Sequence, residues 1–324
     1  MDEPAHPPRI MNDPIPATTP PRSPWREAWR RLRRNRLAVA CGAVLIVIML
    51  ACLIGPHLTG HQIDTQNLER GANTALAAPS TSHWLGTDTL GRDLLTRILA
   101  GGQVSLAVGL TATLVSLIIG VAYGATSGFL GGRADAVMMR IVEILYALPF
   151  IILVIILIVV LEPVFKQPEM EWLVKRFGGE GQIKLVVLFM VIGAIEWLTM
   201  ARVVRAQVMT LRQQDFVSAA LALGVPKWKI IFRHLVPNCL GPVIVYSTLT
   251  IPAVMLLEAV LSFLGLGVQA PFASWGSLIQ EGADNLETRP WMLVFPAAFF
   301  STTLFCFNFL GDGLRDALDP KAER

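Results

Sequence analysis

The sequence predicts an all-α integral membrane protein of six transmembrane helices, and three observations predict it. Only 16% of residues are charged against 53% hydrophobic, where a soluble domain carries roughly a quarter charged. Uncharged stretches run from Leu37 to Ile63, Ile98 to Gly132, Ile144 to Leu161, Leu235 to Leu257 and Pro290 to Gly311, several reaching the roughly 18 residues that cross a bilayer as a helix. None alternates apolar and polar residues with a period of two, which excludes a barrel and leaves helices to satisfy the backbone in lipid. A mean hydropathy of +0.55 agrees.

Taken in order, residues 1–24 contain eight prolines and no hydrophobic period, which reads as a disordered tail. Residues 25–36 carry Arg26, Arg30, Arg31, Arg33, Arg34 and Arg36 and read as a basic helix lying on anionic head groups of the membrane lipid. Residues 37–55 are the first span. A signal peptide is the competing reading, and Ala75-Leu76-Ala77 resembles a cleavage site, but it lies too far past the apolar stretch, so the span is expected to be uncleaved. A loop follows over 56–102. Residues 103–310 form the transmembrane core, with five spans near Val104–Gly128, Val137–Leu161, Ile183–Met200, Cys239–Ser262 and Trp291–Leu310 and a long loop over 201–238; a tail closes the chain at 311–324. Gly109, Ala112, Ser116, Gly120 and Gly124 have the spacing that lets helices approach closely; ordinary membrane glycines without a specific partner are the other reading. Cys41, Cys52, Cys239 and Cys306 lie in or beside apolar stretches without metal-type spacing and read as packing residues.

Loop charges set the orientation. Arg22 to Arg36 holds seven arginines, and Arg202 to His234 holds six basic residues against Asp215 alone. Pro56 to Gly102 has three basic residues and four acids, Glu162 to Lys184 four of each, and Phe263 to Arg289 one and three. Both termini and the 201–238 loop are therefore expected in the cytoplasm, and 56–102 outside it. The net charge of +3 gives no reason to expect nucleic acid.

Catalytic constellations are absent from the sequence: there is no phosphate-binding G-x-x-x-x-G-K-[ST] loop, H-E-x-x-H helix or G-x-S-x-G elbow. His57 and His61 are four apart and can share a helix face, but a metal needs further ligands, so no metal site is expected. His83 and His234 read as interfacial. Three glutamates lie within spans, where charge is costly. Glu143 and Glu196 read as interfacial partners of Arg140 and Arg202. Glu258, toward the outer end of the fifth span, is the candidate pathway residue, suited to a peptide's ammonium group; a satisfied bundle-interior acid is the equal alternative.

The most informative segment runs from Asp215 to Asn238. Asp215 can cap a first short helix, Gly224 can end it in the left-handed conformation, and Pro226 suits the first turn of a second helix. Pro237 then marks a break. Such a segment between two spans suits docking in a groove of a cytoplasmic partner, with a lipid-surface helix as the alternative.

Ala219-Ala220, Gly224 and the run to Leu235 and Pro237 resemble the signature loop of permease subunits in ATP-binding-cassette importers. So do His83-Trp84-Leu85-Gly86-Thr87-Asp88, Gly91-Arg92-Asp93, Leu261-Ser262-Phe263-Leu264-Gly265-Leu266-Gly267, Ser274-Trp275-Gly276 and Asn308 to Pro320, which resemble the peptide and nickel branch of that family. Within the branch the similarity is greatest to oligopeptide permease C subunits, especially over Trp291 to Lys321. The resemblance implies a type I importer permease fold in a bacterial inner membrane, moving oligopeptides or dipeptides by alternating access, with this chain forming half of the pathway. It implies a second homologous permease subunit, two cytoplasmic ATPase subunits that carry ATP and Mg, and an extracytoplasmic peptide-binding protein; the chain itself is not an enzyme and binds no cofactor. Docking onto the ATPases would fall to Asp215, Phe216, Ser218, Ala219, Ala220, Gly224, Val225 and Pro226. Ser218 stands where the family usually has an acid, and the outer segment Glu162 to Gln182 is longer than in relatives, either as a rim against the binding protein or as an inserted surface loop. The remaining alternatives are a permease for nickel or another small solute, and a proton-coupled transporter with Glu143, Glu196 or Glu258 as relay.

Overall fold

The computed structural model describes residues 24–63, 75–165, 167, 172, 180–270 and 272–318. The expected N-terminal tail, most of Glu162 to Gln182 and the last six residues of the C-terminal tail lie outside the described residues. Among those described, the chain is helical, with one isolated bridge between Thr87 and Asp93.

Helix α1 (Pro24–Arg34) is separated from α2 (Arg36–Leu58) at Asn35, whose backbone is extended and whose side chain accepts a hydrogen bond from the Ala38 amide at 3.2 Å. That cap stops the basic helix from running straight into the span. Along α2, Ala38, Cys41, Leu45, Ile48 and Cys52 face inward, while Leu37, Ile46, Val47 and Leu53 stay exposed. A helix apolar on every side belongs in hydrocarbon.

Helix α3 (Leu94–Leu130) has 37 residues, about 55 Å at 1.5 Å per residue. It starts ten residues before the expected span, inside what reads in the sequence as loop 56–102. Gly101 and Gly102 are points where other elements come close. A Cβ on Gly102 would lie 2.7 Å from the Trp275 ring, and one on Gly101 3.3 Å from the Ser274 backbone.

The expected third span, Val137–Leu161, is not one straight helix. It is α4 (Gly132–Ala147) and α5 (Phe150–Phe165), bent by 93°. The cause is Pro149, which lacks an amide hydrogen and drives the residue before it out of the helical region; Leu148 sits at ψ 137°. Helix α6 (Glu180–Leu211) then runs parallel to α3, Gly193 meeting Val115 while Gly128 meets Arg205 and Val208.

Beyond α6 come α7 (Asp215–Ala222), α8 (Lys227–Ile230), a π-helical turn over Ile231–Leu235, α9 (Val236–Asn238) and the long α10 (Leu240–Phe263). Helix α11 (Trp275–Asp284) is an element that the hydropathy does not announce, and α12 (Trp291–Leu318) closes the chain. The supposed tail from Gly311 is the end of α12 as far as Leu318: Gly313 lies directly against Ala38, with Leu32 of α1 beside it. Among the described residues, five helices, α2, α3, α6, α10 and α12, are long and apolar enough to cross a membrane, and the bent α4–α5 pair makes a sixth if it counts as one span.

Small residues govern the α3–α6 contact. A Cβ on Gly120 would meet the Met200 side chain at 2.6 Å, and one on Gly128 the Arg205 carbonyl at 2.8 Å; Gly124 rests directly on the Ala201 backbone. This is the close approach that spacing of four residues permits. Gly124→Val should therefore lower the thermal stability of the detergent-purified protein by an amount matching roughly 1–3 kcal/mol or more. Gly241→Ala, in open space, should leave the melting temperature unchanged or slightly raised.

Candidate functional site

Two ends of the bundle, separated by the length of α3, carry the chain's polar organisation. At the α7–α8 end, the segment read as a docking loop is a helix, a tight turn and a second helix. Asp215 is the first residue of α7 rather than its cap; the cap position belongs to Gln214, and Asp215 places its charge in the first turn, where it complements the helix dipole. The end of α7 is a Schellman turn. The Val225 amide donates to the Ala220 carbonyl at 3.1 Å, the Gly224 amide to Leu221 at 3.0 Å, and Gly224 has φ +73°. Pro226 is the N-cap of α8, one residue before its first turn, and its carbonyl accepts from the Lys229 and Ile230 amides.

This segment has two faces. Val217, Ile230, Ile231 and Leu235 are buried against Phe129 of α3 and Val204 and Val208 of α6. Phe216, Leu221, Leu223 and Trp228 point away from the bundle, Leu223 being 82% and Trp228 66% exposed. Ser218 and Ala219 are also exposed, while Ala220 and Val225 are half-buried. Beside the segment, Arg205 holds Asp135 of α4 with two bonds of 2.5 Å, and Ser127 donates to the same carboxylate.

At the other end the loop before α3 folds around charge. Asp88 is fully enclosed: its Oδ1 accepts from the Leu90 and Arg92 amides, and its Oδ2 from Arg92 Nε at 2.6 Å and Arg97 Nη1 at 2.7 Å. The same Arg97 makes a two-pronged pair with Glu281 of α11, at 2.5 and 2.9 Å. Asp93 caps α3 through the Thr96 amide and hydroxyl, and its other oxygen lies 2.9 Å from His83 Nδ1. His61 pairs with His83, their rings 4.8 Å apart, rather than with His57. His61, His83 and Asp93 offer metal-type ligand atoms within 4.8 Å of one another, although the carboxylate is already engaged by the cap and the imidazole. Sequence reasoning quotes these motif residues without finding the network, because its members are up to 184 positions apart.

Glu258 faces no opening. It is 0% exposed, accepting from Ser262 Oγ at 2.5 Å and from Ser105 Oγ at 3.4 Å. Ser105 in turn accepts the Trp275 amide, and Ser274 donates to Ser262. Glu258 thus has the setting of a bundle-interior acid. Glu143 pairs with Arg140 at 3.1 Å. Glu196 does not pair with Arg202, since six residues at 100° each leave the two side chains 120° apart around the helix. Arg202 instead stacks over the Tyr146 ring at 4.1 Å. Glu196 lines a cavity of about 330 Å³ with Leu145, Tyr146, Leu148, Leu153, Ile195, Leu198 and Thr199.

A bundle of membrane-crossing helices, interrupted between two of them by an anchored helix-turn-helix with an apolar tip, defines a membrane permease. Residues 116–324 match the family described as binding-protein-dependent transport system inner membrane component, and residues 23–79 match the N-terminal transmembrane domain of oligopeptide transport permease C. The chain belongs to that inner membrane component family. It is 44% identical over 302 residues to the oligopeptide transport system permease protein OppC of Haemophilus influenzae, covering 93% of this chain and 89% of the relative. It is 44% identical over 299 residues to the dipeptide transport system permease protein DppC of Bacillus subtilis (92% and 86% covered) and 45% identical over 300 residues to OppC of Salmonella typhimurium (93% and 92%).

The charge network makes an unequal prediction. Arg97→Leu strands the enclosed Asp88 with one cation fewer and should cost about 3–5 kcal/mol, seen as loss of folded protein on size-exclusion chromatography and in thermal unfolding. Glu281→Gln removes a partner whose side chain is 33% exposed and should cost only about 1 kcal/mol.

Proposed function

We propose that this chain is half of the translocation pathway of an ATP-driven importer that passes oligopeptides or dipeptides from an extracytoplasmic binding protein into the cytoplasm by alternating access. The observation that carries the coupling role is the two-faced α7–α8 segment. Its inner side chains are locked into the ends of α3 and α6, and its outer ones form an apolar tip that none of the described residues covers. Large apolar side chains gathered in this way mark an interaction surface, and the partner we assign to it is one of the ATPase subunits, which receives it in a groove. The relatives named above are permeases of oligopeptide and dipeptide systems, which supports peptides as the cargo.

Under this reading a second, homologous permease subunit completes the pathway, and two ATPase subunits hold ATP and Mg. Both termini and the α7–α8 end face the cytoplasm, in keeping with the arginine excess there and the positive-inside rule. The Arg97 end faces outward, toward the peptide-binding protein. ATP-driven closure of the ATPases moves α7; because Val217, Ile230 and Leu235 are packed on α3 and α6, those long helices move with it as one body. The two packings of a bistable bundle then present the pathway to opposite sides in turn.

The turn at Gly224 supplies the test. A β-branched residue is penalised at φ +73°, whereas asparagine tolerates the left-handed region. In the complete transporter reconstituted in liposomes, Gly224→Val should retain ATP hydrolysis and subunit stoichiometry but lose about tenfold or more of peptide uptake, a loss of roughly 1.4 kcal/mol in coupling. Gly224→Asn should keep most of it. Full uptake by the valine variant would disprove the role given to this turn.

A further inference from the structure

Glu196 occupies the middle of α6, 16 residues after Glu180 and 15 before Leu211, so about 22–24 Å of helix separates it from either end. It therefore lies well inside a candidate membrane span. Among the described residues it has no hydrogen-bonding or ion-pair partner, and the nearest cation in its helix, Arg202, is committed to the Tyr146 ring. A carboxyl group in that position cannot face lipid tails at tolerable cost; such residues face the bundle interior, a partner or a water-filled path. Glu196 itself is half-buried rather than enclosed. The cavity beside Glu196 includes Tyr146 and Leu148, both about half exposed, so it opens at the surface of this subunit.

The cavity exists because of the elbow. Pro149 turns α5 away from α4 by 93°, and the last turn of α4, the start of α5 and the middle of α6 become three walls. Leu145, Leu153, Ile195 and Leu198 supply the apolar half of the lining; Glu196, Thr199 and Tyr146 are its polar groups, with the two hydroxyls 3.0 Å apart. At about 330 Å³ it sits at the small end of ligand pockets and suits one terminus of a peptide rather than a whole one. An ionised carboxylate accepts only, and hydroxyl oxygens accept as well as donate. The complementary ligand group is therefore a cation with several N–H donors.

We propose that Glu196, assisted by the Thr199 and Tyr146 hydroxyls, receives the α-ammonium group of the peptide in transit. This rests on the peptide-importer reading above. An ammonium terminus is shared by peptides of every sequence, so the contact selects for a peptide without selecting its side chains. The outer carboxyl, Glu258, cannot play this part, since serine hydroxyls already surround it and it has no opening.

The test uses the complete transporter, with both permease subunits, the ATPases and the binding protein, in proteoliposomes, and Ala-Ala-Ala as the probe. Loss of a charge-assisted hydrogen bond should cut the maximal rate of ATP-driven tripeptide uptake about tenfold or more in Glu196→Gln. Subunit stoichiometry and thermal stability should stay at wild-type values, and Glu196→Asp should recover much of the rate. Wild-type uptake by the glutamine variant would overturn the assignment while leaving the importer reading standing. Loss of the second permease subunit from the purified Gln variant would overturn it too, by showing that Glu196 pairs across the subunit interface. Absence of tripeptide uptake by the wild-type complex would bring down the importer reading and this inference with it.

Discussion

The guanidinium of Arg97 is the fixed point of this subunit. It is nearly enclosed, at the first turn of α3, between a fully buried carboxylate from the preceding loop and a partly exposed one from α11. Hydrophobic burial alone leaves such a junction free to slide, because apolar contacts are non-directional. Charges in a dry site are different: they tolerate only geometries in which every partner is in place. Asp88 therefore determines where the loop before α3 sits, and Glu281 determines how α11 lies across the top of α3. The indole of Trp275 then fills the space between, donating to the Ile98 carbonyl at 2.9 Å and packing edge-on against Phe300 of α12. One cation thus aligns three elements remote from one another in sequence.

From that anchor α3 carries the alignment through the membrane. Its small residues bring the α6 backbone into contact over several turns, so α3 and α6 behave as a paired strut. The far end of the strut is the apolar nest that receives Val217, Ile230 and Leu235. A close-packed interior transmits displacement rather than absorbing it. An extended helix pair clamped by ions at one end and gripping a short helix at the other is a lever whose two ends report on each other. The π-helical turn at Ile231–Leu235, where the Val236 amide reaches back to the Ile231 carbonyl, lies between the gripped segment and α10. Such turns are frequent where a helix changes course at functional positions.

Much of this architecture is legible in the sequence, and the exceptions have physical causes. Apolar runs locate the helices that meet lipid, since hydrocarbon demands them, but they say little about where a helix ends outside it. Thus α3 begins at Leu94 and α12 continues to Leu318, both past the last apolar residue that hydropathy registers. The elbow at Pro149 escapes the same measure: Val137 to Leu161 is apolar on both sides of a residue that cannot continue a helix. Turn chemistry is read more securely because it is local. Gly224 has the positive φ expected of it, whereas Asp215 and Pro226 lie one position from the places their side chains suggest. The Asp88–Arg97–Glu281 set and the short helix α11 depend on contacts between distant positions. A single sequence records the participants there but not the pairing; the one local hint of α11 is Ser274, whose hydroxyl caps it in reciprocal exchange with Ser277.

The two deep carboxyls show why depth in the membrane is a poor guide to role. Glu258 and Glu196 both fall within expected spans, but Glu196 reads as an interfacial partner of Arg202, and Glu258 is the more suggestive from sequence. The distinction lies in their hydrogen bonds. Around Glu258 the account closes: Ser262 donates to it while accepting from the Val268 amide and from Ser274, and Ser105 donates to it while accepting from the Trp275 amide. Each hydroxyl has its donor and acceptor capacity used within the fold, so the group joins α3, α10 and α11 as a polar rivet, and a buried network of this kind is stable because it is complete. Glu196 lies in a wall whose hydroxyls, Tyr146 and Thr199, bond to each other, and among the described residues none donates to it. A buried acceptor left open costs free energy in proportion to its desolvation, and a fold bears that cost only where something outside the chain meets it. It is this incompleteness, and not the presence of a charge, that directs attention to the α4–α5 elbow as the side of the subunit turned toward its cargo.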